Sequence, residues 1–307
     1  MEKNLEVIIL AAGRGTRMRS SLPKVLHTLA GQPLLQHVID TAQALNPSQI
    51  HVVVGYGADV VEETISGQQL KFHSQKEQLG TGHAVGCALP ACQPDSIVLV
   101  LFGDVPLIAA STLQAVIGGA RQKPIMLAAR LADPRGYGRV LRDEAGGFIA
   151  VVEQADASEL EALISEVNTG VLAAPADQLA SLLSSVSNDN AQGEYYLPDV
   201  LGLARQQGIA VEVVVTDDPL EMYGVNNRAQ LQELERSLQC RRADALMDAG
   251  VAIADRQRID IRGDLKCGVD VAIDINVVFE GQVRLGDGVR VGAHCVLKDV
   301  TVSSGTD

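Results

Sequence analysis

Tryptophan is absent from the 307 residues, and aromatic side chains make up only 3% of them, so the apolar content of 47% rests almost wholly on aliphatic residues. Excess positive charge is lacking too. A formal charge of −13 excludes a nucleic-acid-binding surface, because neutralising a phosphate backbone takes clustered Lys and Arg. A small phosphorylated ligand needs only two or three local cations and stays compatible with that charge. The five cysteines, Cys87, Cys92, Cys240, Cys267 and Cys295, show neither CxxC spacing nor a paired framework. They read as small buried hydrophobes in a reducing compartment. No apolar run approaches the roughly 20 residues that span a bilayer, and Ile97–Phe102 is among the longest. No cationic stretch leads into an apolar segment at the N-terminus, so the expectation is a cytoplasmic protein without membrane contact.

The first two thirds of the chain alternate short apolar runs with helical patterns. Val7–Leu10, Ile50–Val54, Ile97–Phe102 and Ile125–Ala129 read as strands buried on both faces, since they lack clear alternation. Between the first two, Leu34, Val38, Thr41, Ala42 and Leu45 recur at helical spacing, with Pro33 expected as first helical residue. Such repetition predicts an α/β, Rossmann-like, mostly parallel sheet with helices on both faces. Ligands of such sheets lie at the carboxyl ends of the strands.

From Asn227 to Gly250, Leu231, Leu234, Leu238, Ala245 and Leu246 predict a connecting helix with a charged outer face and Gly250 as its stop. The period then becomes six. Ile259, Leu265, Val271, Val277, Val283, Val289, Cys295 and Thr301 stand six residues apart, and a second series from Ile261 to Ser303 follows two positions behind. A fixed period of six predicts a parallel β-helix, in which each apolar residue stacks on its equivalent in the next turn. An antiparallel meander would not keep it. The expected organisation is a nucleotidyltransferase domain over 1–226, a linker helix over 227–250 and a left-handed β-helix over 251–307.

Three blocks carry chemistry. The run from Leu10 through Ala11, Ala12, Gly13, Arg14, Gly15, Thr16, Arg17 and Met18 follows a strand, with Lys24 shortly behind. Glycines there let backbone N–H groups approach phosphate oxygens, and Arg17 and Lys24 add positive charge for a triphosphate and departing pyrophosphate. The run is neither the dinucleotide glycine motif nor a P-loop. Taken alone it is also compatible with a tight turn bearing surface cations. Phe102, Gly103 and Asp104 end a buried strand, where a carboxylate can hold Mg²⁺ against phosphate oxygens or merely cap a loop. The loop from Gln75 to His83 combines polar side chains with small glycines, suited to hydrogen-bonding a flat base or to starting a helix. His83 is assigned to packing of that helix. The stretches around Gly138, Glu153, Asn168 and Asn226 are weaker, each readable as a turn or strand end.

In this order the blocks LAAGRGTRM, LPKVLHTLAG, QLGTGHA, FGDVPL, GYGR, NTG, NAQGEYYLPD and GVNNR resemble the sugar nucleotidyltransferases. Within them they resemble the bacterial bifunctional family of N-acetylglucosamine-1-phosphate uridyltransferases and glucosamine-1-phosphate N-acetyltransferases. The likeness runs along essentially the whole chain, and it implies a UDP-N-acetylglucosamine diphosphorylase using UTP, N-acetylglucosamine 1-phosphate and Mg²⁺ to supply cell-wall precursors. It implies that Leu10, Ala11, Ala12 and Gly13 contact the nucleotide, and that Gln75, Gly80 and Thr81 read the uracil and its surroundings. Arg17 and Lys24 would be catalytic, stabilising the phosphates. Phe102, Gly103 and Asp104 would border ribose and metal, with Asp104 and Asn226 ligating Mg²⁺, and Gly138, Glu153 and Asn168 would hold the sugar. Arg14 stands where the family has Lys as often, and the charge is kept. The repeat implies a homotrimer. It amounts to just under three turns, so a truncated chain without acetyltransfer is expected. Competing assignments are another NTP and sugar phosphate, a non-catalytic regulatory subunit, and a hexapeptide-repeat acyltransferase. The presence of Arg17, Lys24, Asp104 and Asn226 argues against the second, and the short repeat against the third.

Overall fold

The computed structural model describes residues 4–307. In chain order the first elements are β1 (Leu5–Ala11), the short strands β2 (Thr28–Leu29) and β3 (Gln32–Pro33), α1 (Leu34–Gln43), β4 (Gln49–Val54), α2 (Ala58–Thr64) and β5 (Leu70–Ser74). There follow α3 (Thr81–Ala88), β6 (Ile97–Phe102), α4 (Ala110–Gly119), β7 (Ile125–Arg130), β8 (Arg139–Arg142), β9 (Phe148–Val152), β10 (Glu166–Pro175), α5 (Ala176–Leu183), α6 (Asp199–Gln206) and β11 (Glu212–Thr216). The chain falls into two compact units, one running to Leu26 and resuming over Leu34–Gly224, the other made of His27–Pro33 and Val225–Asp307.

In the first unit β11-β7-β10-β6-β1-β4-β5 form one sheet, with β8 and β9 attached through β10. Strand β1 lies between β4 and β6 and runs parallel to both, whereas β10 runs antiparallel to β6 and β7. The sheet is mostly parallel, as the alternation of strands and helices predicts. Successive residues of β1 point to opposite faces, and both faces are covered. Val7 and Ile9 pack with Leu35, Val38 and Ile39 of α1 and Leu113 and Val116 of α4. Ile8 and Leu10 pack with Val85 of α3, Leu179 of α5 and Val200 of α6. Burial on two sides is why the strand reads as a continuous apolar run; each such side chain contributes about 1.5–3 kcal/mol. Pro33 belongs to β3 rather than to the first turn of α1, which starts at Leu34.

The second unit contains α7 (Arg228–Asp248), β12 (Ala252–Ile253), β13 (Ile259–Cys267), β14 (Ala272–Ile273), β15 (Val277–Leu285), β16 (Arg290–Val291), β17 (Val296–Lys298) and β18 (Thr301–Val302). Helix α7 starts where the Asn227 side chain accepts the Gln230 N–H at 2.9 Å, satisfying one of the donors that a helix start leaves open. Parallel pairing sets Ile259 beside Val277 and Ile261 beside Phe279; Val278 in turn pairs with Val296. The register advances by eighteen residues per turn, which is three hexads. Ile259, Ile261, Val271, Ile273, Val277, Phe279, Val283 and Leu285 fill one interior, as stacking in the start of a parallel β-helix requires. The open first rung is closed by a side chain. Fully buried Gln239 of α7 accepts the Ile261 N–H at 2.7 Å and donates to the Ile261 carbonyl at 3.0 Å, doing for β13 what a neighbouring strand would.

All five cysteines are free, and only Cys92 is buried while the others are half-buried; pairing is absent as expected, but full burial holds for one. Among the described residues no helix is long and apolar enough to cross a membrane.

Candidate functional site

The chain leaves β1 for β4 and β5 on one side, then returns to β6 on the other. A crevice opens beyond the carboxyl ends of strands where the direction of winding reverses in this way. The strand ends are held level, since Gly103 N–H donates to the Leu10 carbonyl at 2.9 Å and Gln75 N–H to the Val54 carbonyl at 2.8 Å. A cavity of about 290 Å³ lies at this edge. Its walls include Leu10, Ala11, Ala12, Gly13, Lys24, Gln75, Gly80, Thr81, Phe102 and Asp104. Ten of the residues singled out in the sequence, from three loops spread over nearly a hundred residues, thus face one space.

Lys24 is fixed at the edge of that space by the two residues after it. Val25 and Leu26, in the same short 3-10 turn, are 3% and 4% exposed and sit in the core. The Lys24 ammonium pairs with Asp104 Oδ2, and both side chains are largely buried. A shielded pair of this kind interacts more strongly than one on an open surface, but each charge there depends on a partner. Arg17 follows Gly15 in a second 3-10 turn pinned by buried Met18; Arg17 is exposed and does not line the cavity.

The loop after β5 is tied down by its own side chains. Gln75, 4% exposed, donates to the Gly80 carbonyl at 3.1 Å and lies 2.9 Å from His83 Nδ1, while Gln78 donates to the Ala12 carbonyl at 2.8 Å. Gly80 has φ +107°, and a Cβ there would stand 2.6 Å from the Tyr195 carbonyl oxygen. That close approach lets a distant segment dock: Tyr195 N–H donates to the Leu79 carbonyl, Gly82 N–H to the Tyr195 carbonyl, and Leu197 N–H to Thr81 Oγ1. Docking brings Glu194 into the cavity wall beside Gln78. Neither residue was singled out in the sequence, although both lie inside its motifs. Their signal was a polar side chain next to a glycine that must pack closely. His83 holds Gln75 within the loop, in keeping with a packing role.

Gly138, Glu153 and Asn168 do not line this cavity, but they lie together. Asn168 N–H donates to the Gly138 carbonyl at 2.8 Å, and a Cβ on Gly138 would meet Glu153 Oε1 at 3.0 Å. Asn168 Oδ1 accepts the Gly170 N–H at 2.9 Å. Beneath them Arg139, fully buried, donates to the Tyr137 carbonyl, to Gln154 Oε1 and to the Ala162 carbonyl, binding three parts of the surrounding loops to one guanidinium. Burial pushes the Glu153 carboxyl above its ordinary range, the charges of Asp199 and Asp156 push the same way, and Arg139 opposes them. Gly103 serves in the sheet-edge hydrogen bond. Asn226 belongs to the second unit, where its N–H donates to Gln230 Oε1 at 2.9 Å.

A hard, oxygen-preferring cation such as Mg²⁺ suits Asp104, whose carboxylate faces the cavity and already holds a cationic group. A second cluster of possible ligands, Glu6, His51 and Cys92, has the wrong chemistry for Mg²⁺. It also stands at the opposite end of β1, since Glu6 precedes Ala12 by six residues, about 20 Å of strand.

Residues 7–249 match the family of MobA-like NTP transferase domains. A bifunctional protein GlmU of Burkholderia mallei (strain SAVP1) is 52% identical over 302 residues, covering 98% of this chain and 67% of that protein. A bifunctional protein GlmU of Paraburkholderia phytofirmans is 50% identical over 303 residues with the same coverage. Among solved structures, a Bacillus anthracis protein described as a glucose-1-phosphate thymidylyltransferase, in complex with sucrose, superposes with a TM-score of 0.59 at 18% identity, over 75% of this chain and 94% of that one. That likeness speaks to the fold alone.

Proposed function

The chain belongs to the MobA-like NTP transferase family and, within it, to the GlmU group of sugar-1-phosphate nucleotidyltransferases; from that premise we propose that it joins UTP to N-acetylglucosamine 1-phosphate, giving UDP-N-acetylglucosamine and pyrophosphate. The observation that carries the reading is the Lys24–Asp104 pair at the wall of the cavity closed by Leu10–Gly13 and Gln75–Thr81. It sets a cation suited to phosphate oxygens and a carboxylate suited to a metal side by side at the carboxyl edge of the sheet.

In this reading the sugar phosphate oxygen attacks the α-phosphorus of UTP and pyrophosphate departs in line. The attacking phosphate is already anionic, so the chain need not supply a nucleophile. Its work is positioning and charge stabilisation. Gly13 borders open space, since a Cβ at that position would meet nothing within 4 Å, and leaves room there for the phosphates. Lys24, released from Asp104, turns its ammonium to the departing pyrophosphate, and Arg17 adds charge from outside the cavity wall. Mg²⁺, when bound, neutralises charge on the phosphate oxygens. Asp104 would hold it, and Asn226 is assigned as a second ligand on its GVNN motif. Gln75, Gly80 and Thr81 are assigned to the base, Phe102 and Gly103 to the ribose side, and Gly138, Glu153 and Asn168 to the sugar. The hexad repeat supports a homotrimer through the β-helix as the proposed assembly, which sedimentation would report.

The deciding experiment is pyrophosphate release across a panel of nucleoside triphosphates and sugar 1-phosphates, with and without Mg²⁺. The expected result is Mg²⁺-dependent release fastest with UTP and N-acetylglucosamine 1-phosphate. A faster pair elsewhere in the panel reassigns the substrates; no release with any pair removes the activity.

A further inference from the structure

Glu6 of β1, His51 of β4 and Cys92 beyond α3 converge at the amino-terminal end of the sheet, away from the nucleotide cavity. One ligand atom of each lies within 4.8 Å of the other two, and the residues are 2%, 1% and 9% exposed. His51 Nε2 is 2.9 Å from Glu6 Oε2, and Glu6 Oε1 accepts the Gln93 N–H at 2.7 Å. We infer that these three side chains form a buried three-ligand site for a borderline-soft divalent cation of the Zn²⁺ type, independent of the transferase reaction.

Four features point this way. The first is the donor set: carboxylate oxygen, imidazole nitrogen and thiol sulfur together match Zn²⁺ and its transition-metal neighbours and mismatch Mg²⁺. The second is spacing. Bonds of about 2.0–2.3 Å in a tetrahedral site set ligand atoms roughly 3.3–3.7 Å apart, so a cluster already within 4.8 Å needs to adjust by roughly 1.5 Å at most. The third is orientation. Ligating imidazoles are held by a hydrogen bond at their other nitrogen, and His51 Nδ1 lies 2.9 Å from His73 Nε2. The fourth is charge. A carboxylate this buried is costly unless compensated, and a divalent cation with the Glu6 carboxylate, a Cys92 thiolate and a neutral imidazole sums to zero.

The metal forms bonds to a Glu6 oxygen, His51 Nε2 and Cys92 Sγ. The His51 proton moves from Nε2 to Nδ1 and is donated to His73 Nε2, whose own proton passes to Nδ1. The Cys92 thiol proton goes to solvent, so one proton is released per metal. Because a proton is released, uptake strengthens as pH rises.

The test is titration of the whole, chelator-treated chain with Co²⁺. The expected result is one equivalent giving a thiolate-to-cobalt charge-transfer band with release of one proton, reversed by Zn²⁺. The band should survive in Asp104→Asn, which separates this site from the nucleotide cavity, and vanish in Cys92→Ser. No band in the folded wild-type chain, or a band persisting in Cys92→Ser, overturns the inference. Should Cys92→Ser fail to fold, X-ray absorption of the Zn²⁺-loaded wild-type chain decides, and one sulfur scatterer among nitrogen and oxygen is required.

Discussion

Lys24 and Asp104 pair in a shielded place, so removing either changes the electrostatics of the other. Asp104→Ala takes away the carboxylate proposed for the metal, and Lys24→Ala the cation for the leaving pyrophosphate. Each should lower turnover by at least ~10²-fold, the usual cost of losing one electrostatic stabiliser, as measured by pyrophosphate release at saturating substrates. Near-full turnover in both would sink the assignment. Glu153 offers a test with the opposite sign for stability. Its carboxyl is raised by burial, so the folded chain keeps that proton to higher pH than the unfolded chain does. Ionisation then costs stability as pH rises through the raised value, and the cost is absent below the ordinary value of 4.5. Glu153→Gln should therefore raise Tm at neutral pH, with no advantage over wild type in acid, while turnover falls because the proposed sugar contact is lost. An equal Tm change at both pH values would show that packing, not ionisation, is responsible. At this scale the sequence made Lys24 and Asp104 visible, since each has a short motif that a bare chemical argument can read. Gln78 and Glu194 were not visible, because their place in the wall depends on the docking of Tyr195 against Gly80 and Gly82.

Among elements, legibility followed burial. Strands β1, β4, β6 and β7 were readable because both faces are covered, which leaves no polar position to blur the run. The β-helix was readable because eighteen-residue register forces equivalent residues onto one another. By contrast β8, β9 and β10, which gather Gly138, Glu153 and Asn168, pair antiparallel with register shifts, and nothing in the local pattern foretold their meeting. Pro33 misled because its fixed φ suits a helix start, whereas its partner here is Thr28 across a two-residue ladder. Helix α7 was readable at both ends, and its start can be tested. Asn227→Ala removes the acceptor for the Gln230 N–H and should cost about 1 kcal/mol, seen as a lower midpoint for loss of helical signal in urea. Asn227→Ser should restore most of it, since a hydroxyl can accept the same bond. If Ala and Ser variants melt alike, the cap contributes nothing.

For the molecule as a whole, charge sets up a conflict that experiment can resolve. A net charge of −13 repels a nucleoside triphosphate at long range, yet Arg14, Arg17, Arg19 and Lys24 fall within eleven residues that contain no acid. Which field governs encounter depends on screening. Exposed charges act over about 30 Å at 0.01 M salt and about 8 Å at 0.15 M. If the local cations dominate, added salt weakens capture and KM for the nucleotide rises; if net charge dominates, salt relieves repulsion and KM falls. The local field should win, because a ligand entering the cavity passes the cationic loop closely while the acids are spread along the whole chain. Replacing Arg14 and Arg19, which are exposed and do not line the cavity, with Gln should then raise KM several-fold at low salt, leave kcat unchanged and flatten the salt dependence. The measurement is KM for the triphosphate against ionic strength in wild type and double variant. A wild-type KM that falls with salt would place control of encounter in the net charge instead of the loop.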